Sequence, residues 1–467
     1  MNEITSIIDL QRTADSIIND LKEKSISVPC WSDLINDYEP TKHRIVSDHT
    51  TRKDKVKKDG SVEIASRIYL GLEKLLTNRM NEFTFSIPVK RIYHNTDNNK
   101  VRKQIANAIE YIYKHSRIDS VNLRRGLNYF ASCEVATVWY TVESKNSLYG
   151  FESKYKMKCK TYSPMDGVNL YPLIDELGDM LAMSFEYTTK SGDKNITYFD
   201  TYTDTNRYQW RNEGANWELV KSEEIIIKKI PSVYIYRPVP IYHGLSYIRN
   251  EIEYTLSRNS DVIAYNSSPI LMVSGSLQGS EDKGESRRVY RVENGGSVSY
   301  VSWSQSIEAL KYHVDTLTKM FWSQAQIPDI SFEKMAALGN IGFDARQTLL
   351  TDSHLKVGDE SGAWIEVLER ECNVIKSFLK ELNKEWESEI DNVEVEHIIT
   401  PFIQNDENAT VDRIIKMNGG KPVISQLDSI QMAGYSSNPD ATLAQIQKED
   451  SESSANNMNN LFGEGSE

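Results

Sequence analysis

Apolar positions along the chain change period several times. Ile4, Ile7, Ile8, Leu10, Ala14, Ile17, Ile18 and Leu21 recur at helical spacing and predict an amphipathic helix over Asn2–Lys24. Ser61–Met80 reads as helical again, with Ile64, Ile68, Leu72 and Leu75 on one face, and Asn98–His115 and Ser120–Phe130 make two more helices. From Cys133 the period falls to two. Val135–Thr141, Lys156–Tyr162, Met180–Thr188, Ile196–Asp200, Arg207–Arg211 and Glu224–Lys229 read as short strands rich in Tyr, Val, Ile and Thr. An antiparallel sheet with one wetted face is expected.

A helix then runs from about Leu245 to Tyr265, with Leu245, Ile248, Ile252, Leu256 and Ile263 as its stripe and Glu251, Glu253 and Arg258 opposite. It stops before Pro269, because proline disfavours helix in the residue ahead of it. A compact β insertion follows. Ile270–Ser274 is a strand, Leu277–Ser286 a loop rich in Gly, Ser and charge, Arg287–Val292 a strand, Asn294-Gly295-Gly296 a tight turn, and Val298–Trp303 a strand. The second helix covers Ser304–Gln326, with Ile307, Leu310, Val314, Leu317 and Phe321 as its stripe. On the adjoining face Lys311, Asp315 and Lys319 lie four apart and are placed to pair. Two antiparallel helices of this length carry the insertion roughly 30 Å from the body. Such a device suits assembly better than catalysis.

Ile330–Gly342 reads as an interrupted helix or mobile loop, with Gly339 and Gly342 near its end. A long helix is expected from Phe343 to about Trp386, with a bend near Gly358 and Gly362. Val393–Ile399 is a strand, Asn408–Met417 and Val423–Ala433 are short helices, and the polar end is a disordered tail.

Composition narrows the function. The chain has 467 residues and a net charge of −13, which argues against tight gripping of nucleic acid. The basic stretch Arg52, Lys53, Lys55, Lys57 and Lys58 reads as a solvated loop, or more sharply as a polyanion contact. Cys30, Cys133, Cys159 and Cys372 form no close pair, so zinc ribbons and disulfide scaffolds are unsupported. No window is long and apolar enough to span a bilayer, and the charged start does not read as a secretory signal. No phosphate loop, nucleophile elbow or His-Glu-x-x-His motif occurs, and the eight His are scattered. No catalytic residue, metal or cofactor is expected.

Residues from about Arg237 to Lys448 resemble the portal proteins of tailed double-stranded DNA phages, of the siphovirus-like kind. Ser268-Pro269 with Ile270–Gly275 is similar to the segment leaving that family's first stem helix. Ser306–Lys311 with Val314–Leu317 resembles the second stem helix, Gln326–Asp329 the entry to the tunnel loop, and Asn340–Ala345 the start of the long helix. Gly419–Ser425, Gly434-Tyr435 and Asn438-Pro439 resemble the family's C-terminal turns.

The resemblance implies an α+β portal architecture. Residues 1–244 would be an α/β wing, 245–266 and 304–326 two stem helices, and 267–303 a β clip. Residues 327–342 would be a tunnel loop, 343–400 a long wing helix and strand, 401–450 a helical crown, and 451–467 a disordered acidic tail. It implies a homo-oligomeric ring, usually of twelve copies, at one capsid vertex of the virion, assembled in the host cytoplasm. Double-stranded DNA would pass through without sequence specificity. Major capsid protein, scaffold, the terminase large subunit and a head–tail connector or adaptor would be partners, with no membrane. In this reading Glu333, Lys334, Met335 and Asn340 face the channel, Lys311, Asp315 and Lys319 lie on the stem, and Glu281, Asp282, Lys283, Arg287 and Arg288 form the clip's docking surface. The competing readings are a monomeric helical adaptor and a metal-dependent phage nucleic-acid enzyme with a helical-hairpin insertion.

Overall fold

The computed structural model describes all residues except 1–2, 97–98, 193, 267–269, 275–276, 283–287, 293–296, 302–306, 330–347, 403–406, 420–421, 435, 437–438 and 464–467. The chain forms two compact units. One comprises Met1–Ile330 with Thr351–Phe402, the other Ser331–Leu350 with Ile403–Glu467.

The first unit opens with α1 (Glu3–Ile7) and α2 (Ala14–Glu23), where one continuous helix was expected. The break is chemical. Asp9 accepts from the Gln11 amide at 3.0 Å, and Thr13 caps α2 through the Ser16 amide, so local side chains take the donors that a through-helix would use. Then come α3 (Trp31–Tyr38), α4 (Arg44–Ser47), and a short hairpin of β1 (Lys55–Val56) and β2 (Val62–Glu63). Helix is absent over 61–71, against expectation, and α5 begins at Leu72 and runs to Phe85. After β3 (Lys90–His94) come α6 (Lys100–His115) and α7 (Ile118–Ser132), close to their expected ranges.

Gly126 on α7 lets that helix press against α5. A Cβ there would meet Asn81 Oδ1 at 2.3 Å and Phe85 Cδ2 at 2.6 Å. Asn81 is itself held, donating to the Leu123 carbonyl at 2.9 Å, and both neighbours are buried. Gly126→Ala is therefore expected to cost about 1–3 kcal/mol through overpacking, despite alanine's better helix propensity, and chemical denaturation measures it.

Eight strands follow: β4 (Glu134–Asn146), β5 (Ser153–Tyr162), β6 (Val168–Ile174), β7 (Met180–Ser191), β8 (Lys194–Tyr202), β9 (Asn206–Asn212), β10 (Trp217–Glu224) and β11 (Ser232–Tyr236). They form two antiparallel sheets, ordered β11-β4-β5 and β10-β9-β8-β7-β6. β6 carries Pro172, and it is an edge strand, where a missing N–H is tolerated. The strand expected over Glu224–Lys229 is replaced by β10 and β11 on either side of it.

Ala136, Val138, Val168, Leu170, Met183 and Phe185 form the core between the sheets. α1 and α2 cover the outer sheet through Ile7, Ile17, Ile18 and Leu21 against Phe199 and Trp210. The opposite face of β4 and β5 presents Trp139 and Met157 to Ile105, Ile109, Ile112, Ile375 and Leu379.

α8 (Ser246–Asn266) leads to four short strands, β12 (Ile270–Ser274), β13 (Leu277–Asp282), β14 (Arg288–Val292) and β15 (Ser297–Val301), and α9 (Ile307–Ala325) returns. α10 (Thr351–Leu382) is helical through Gly358 and Gly362. It ends earlier than expected, because Asn383 accepts from the Glu385 amide at 3.1 Å and starts a separate turn over Lys384–Trp386. β16 (Glu394–Ile398) pairs antiparallel with β3.

The second unit contains α11 (Glu407–Asn418), α12 (Gln426–Ala433) and α13 (Pro439–Gly463). α12 starts later than expected because Ser425 forms a capping box with Asp428, and Gly434 ends it at φ 72°. α13 extends to Gly463, into the stretch expected to be disordered.

Candidate functional site

The helical hairpin of α8 and α9 is the feature that the chain's organisation singles out. α9 packs back along α8, and His313 Nε2 lies 3.9 Å from Glu251 Oε1. Between the helices the strands nest. β12 pairs with β15 (Ile270 opposite Val301) and β13 with β14 (Asp282 opposite Arg288), all antiparallel. The hairpin expected between β14 and β15 is thus replaced, and the loop expected over Leu277–Ser286 is strand as far as Asp282.

The inner face of α8 is polar. Arg249, Glu253, Ser257 and Asp261 recur every fourth residue, and the first three are fully buried. Glu253 was expected on the wetted face. Instead Arg249 Nε donates to Glu73 at 2.9 Å and its Nη2 to Asp37 at 2.8 Å. His43 holds Glu253 Oε1 at 2.7 Å through Nδ1 and the Asp37 carbonyl at 3.0 Å through Nε2. Burial pushes the Glu73 carboxyl up to about 7, with Arg249 opposing.

This stripe reads an extended stretch of the N-terminal region. The Ser66 amide donates to Asp261 at 2.9 Å, the Ile68 amide to Ser257 at 2.8 Å and the Leu70 amide to Glu253 at 2.8 Å. Two residues of extended chain advance about 6.8 Å and four of helix about 6.0 Å, so alternate amides stay in step with every fourth helical side chain. Residues 65–70 are extended rather than helical because their amides have partners here. Arg52 adds an ion pair with Asp261 and a bond to the Ser257 carbonyl.

The far end of α9 is pinned too. Gln326 adopts φ 55°, Ile327 is buried, and Arg79 of α5 donates to the Pro328 carbonyl at 3.3 Å while lying over the Trp322 ring. Lys356 of α10 donates to the Ala325 carbonyl at 2.5 Å. Burial lowers its pKa to about 8. The chain therefore leaves α9 and enters α10 at one fixed place.

Lys311, Asp315 and Lys319 are exposed on α9, and among the described residues no ion pair joins them. Glu281 and Asp282 belong to β13 and Arg288 to β14. Lys283, Arg287, Glu333, Lys334, Met335 and Asn340 lie outside the described residues. The Arg249 cluster was missed in the sequence, although charges at every fourth position of a helix were visible there. Among the described residues no group of three His, Cys, Asp or Glu could hold a metal, and no helix is long and apolar enough to cross a membrane. Burial raises the thiols of Cys133 and Cys159 to about 12 and that of Cys372 to about 11.

A family model described as "Phage portal protein, SPP1 Gp6-like" matches residues 32–455. The chain belongs to this family of phage portal proteins, which is structural rather than enzymatic. No curated protein matches. Among solved structures, a chain of the "Neck of empty GTA particle computed with C6 symmetry" has 10% identity and a TM-score of 0.37, over 85% of this chain and 94% of that one. A chain of the "Neck of native GTA particle computed with C12 symmetry" has 9% identity and a TM-score of 0.38, over 90% of this chain and 98% of that one.

Proposed function

We propose that this chain assembles into a ring of twelve copies at one vertex of a phage capsid, forming the channel for packaging and ejection of double-stranded DNA. The family match across residues 32–455 carries the reading. α8 and α9 serve as the stem, residues 267–303 as the clip and 330–342 as the tunnel loop. The clip, through Glu281, Asp282, Lys283, Arg287 and Arg288, docks the terminase large subunit during packaging and the head–tail connector afterwards. Capsid protein and scaffold meet the rest of the ring. An acidic chain suits this task, because a wall that bound phosphate tightly would stall the duplex.

Native mass measurement and negative-stain imaging of purified protein test the assembly. Rings with a central pore are expected, and a stable species of 53.5 kDa without rings would overturn it. For the channel, Lys334→Glu is expected to leave rings intact and lower DNA retention at low salt, since a screened cation touches phosphates weakly. Unchanged retention would remove Lys334 from the channel.

A further inference from the structure

The hairpin of β1 and β2 is anchored firmly, and no element among the described residues covers it. At its base Asp54 accepts from the Ala65 amide at 2.9 Å and from Arg67 at 2.8 Å, and Arg52 reaches Asp261 on α8. Beyond that base every residue from Lys55 to Ile64 is exposed. Val56 is 73%, Val62 56% and Ile64 74% accessible, although Val56 and Val62 are directly opposed in the pairing. An isolated two-stranded hairpin is marginal in water, so its apolar side chains call for a covering surface. Lys53, Lys55, Lys57 and Lys58 surround them, and among the described residues no acid pairs with these four.

One face of α10 has the complementary chemistry. Asp352, Leu355, Asp359, Gly362, Glu366 and Glu369 fall at spacings of three and four, and all are exposed. Leu355 is 64% accessible. Among the described residues no ion pair involves Asp352, Asp359 or Glu369, and Glu366 pairs with Arg370. Gly358 and Gly362 are the second feature. Each costs about 1 kcal/mol relative to alanine inside a helix. Neither has a described neighbour within 4 Å of where a Cβ would stand, so nothing among the described residues requires them to be glycine. They leave a flat strip beside Leu355 that another backbone can approach closely.

We infer that the β1–β2 hairpin is an assembly arm that docks on the acidic face of α10 of a neighbouring copy. Val56, Val62 and Ile64 cover Leu355 and the glycine strip, and the lysines meet Asp352, Asp359 and Glu369. A contact between two different patches of identical chains generates a ring when its rotation closes. The inference rests on the ring assembly proposed above and assigns one of its contacts.

A photo-reactive benzoylphenylalanine placed at Val56, in rings mixed from isotopically heavy and light copies, tests the contact. Heavy–light cross-links mapping to 352–369 are expected. Cross-links confined to one copy, or mapping to another part of the neighbour, would overturn the assignment. Imaging the same sample separates this from failure of the ring reading, which would appear as absence of rings. A second test uses Gly358→Gln with Gly362→Gln. The thermal midpoint of the isolated chain is expected to rise, because helix propensity improves, while the concentration for half-assembly rises at least tenfold. Assembly as efficient as wild type would overturn the proposal.

Discussion

Glu371→Ala is expected to destabilise the first unit by about 3–5 kcal/mol, because it strands a buried guanidinium. Arg125 Nη1 and Nη2 donate to the two carboxylate oxygens of Glu371 at 2.8 and 3.0 Å, and Trp139 Nε1 donates to Oε1 at 3.0 Å. Arg125 and Glu371 side chains are 1% and 0% accessible. Bulk water does not reach this pair in the intact protein, and among the described residues the Asn122 oxygen is the other side-chain acceptor bonded to Arg125. Arg125→Met combined with Glu371→Leu is expected to recover most of the loss, since paired removal leaves no charge behind. Urea unfolding of Glu371→Ala and of the double variant measures this. A single-variant cost below about 1 kcal/mol would mean that the site rehydrates.

That ion pair joins α7 to α10 across 246 positions of sequence, which marks where reading the sequence stops working. Local patterns served well. α6 and α7 were legible from apolar spacing, and β4, β5, β7, β8 and β9 from Tyr, Val and Thr at period two. So was the order of α8, strands and α9. Pairings were less legible, because β14 and β15 are adjacent in sequence with Gly295-Gly296 between them, yet each pairs with an earlier strand. Charge produced the largest error. Glu253 has the polarity of a surface residue, and its partners His43 and Leu70 stand about two hundred positions away. The first half of the helix expected over Ser61–Met80 failed for the same reason, while Leu72–Met80 is helical as expected. Ile64, Ile68, Leu72 and Leu75 have helical spacing, but the amides of 66, 68 and 70 are claimed by α8. The clip and tunnel residues were chosen by resemblance, and most of them fall outside the described residues.

Glu253→Ala is the substitution expected to release that stretch. Glu253 Oε1 accepts from the Leu70 amide and faces His43, and Oε2 lies 3.8 Å from Arg249 Nη1. Alanine leaves His43 Nδ1 and the Leu70 amide without a partner and Arg249 with less countercharge. A cost of about 3–5 kcal/mol follows for this buried cluster. The effect should be local before it is global. Hydrogen exchange is expected to accelerate at Leu70, then at Ile68 and Ser66, while amides of the β6–β10 sheet keep their protection until global unfolding sets in. Glu253→Gln retains an acceptor for Leu70 but removes the charge, and is expected to cost roughly half as much. Ser257→Ala removes one rung, exposes no charge, and should cost about 1 kcal/mol. If exchange at 66, 68 and 70 rose equally in Ser257→Ala and Glu253→Ala, the charged cluster would not be the anchor and the rungs would hold independently. The graded order is expected, because Glu253 ties the stretch to both His43 and Arg249, whereas Ser257 ties it to α8 alone.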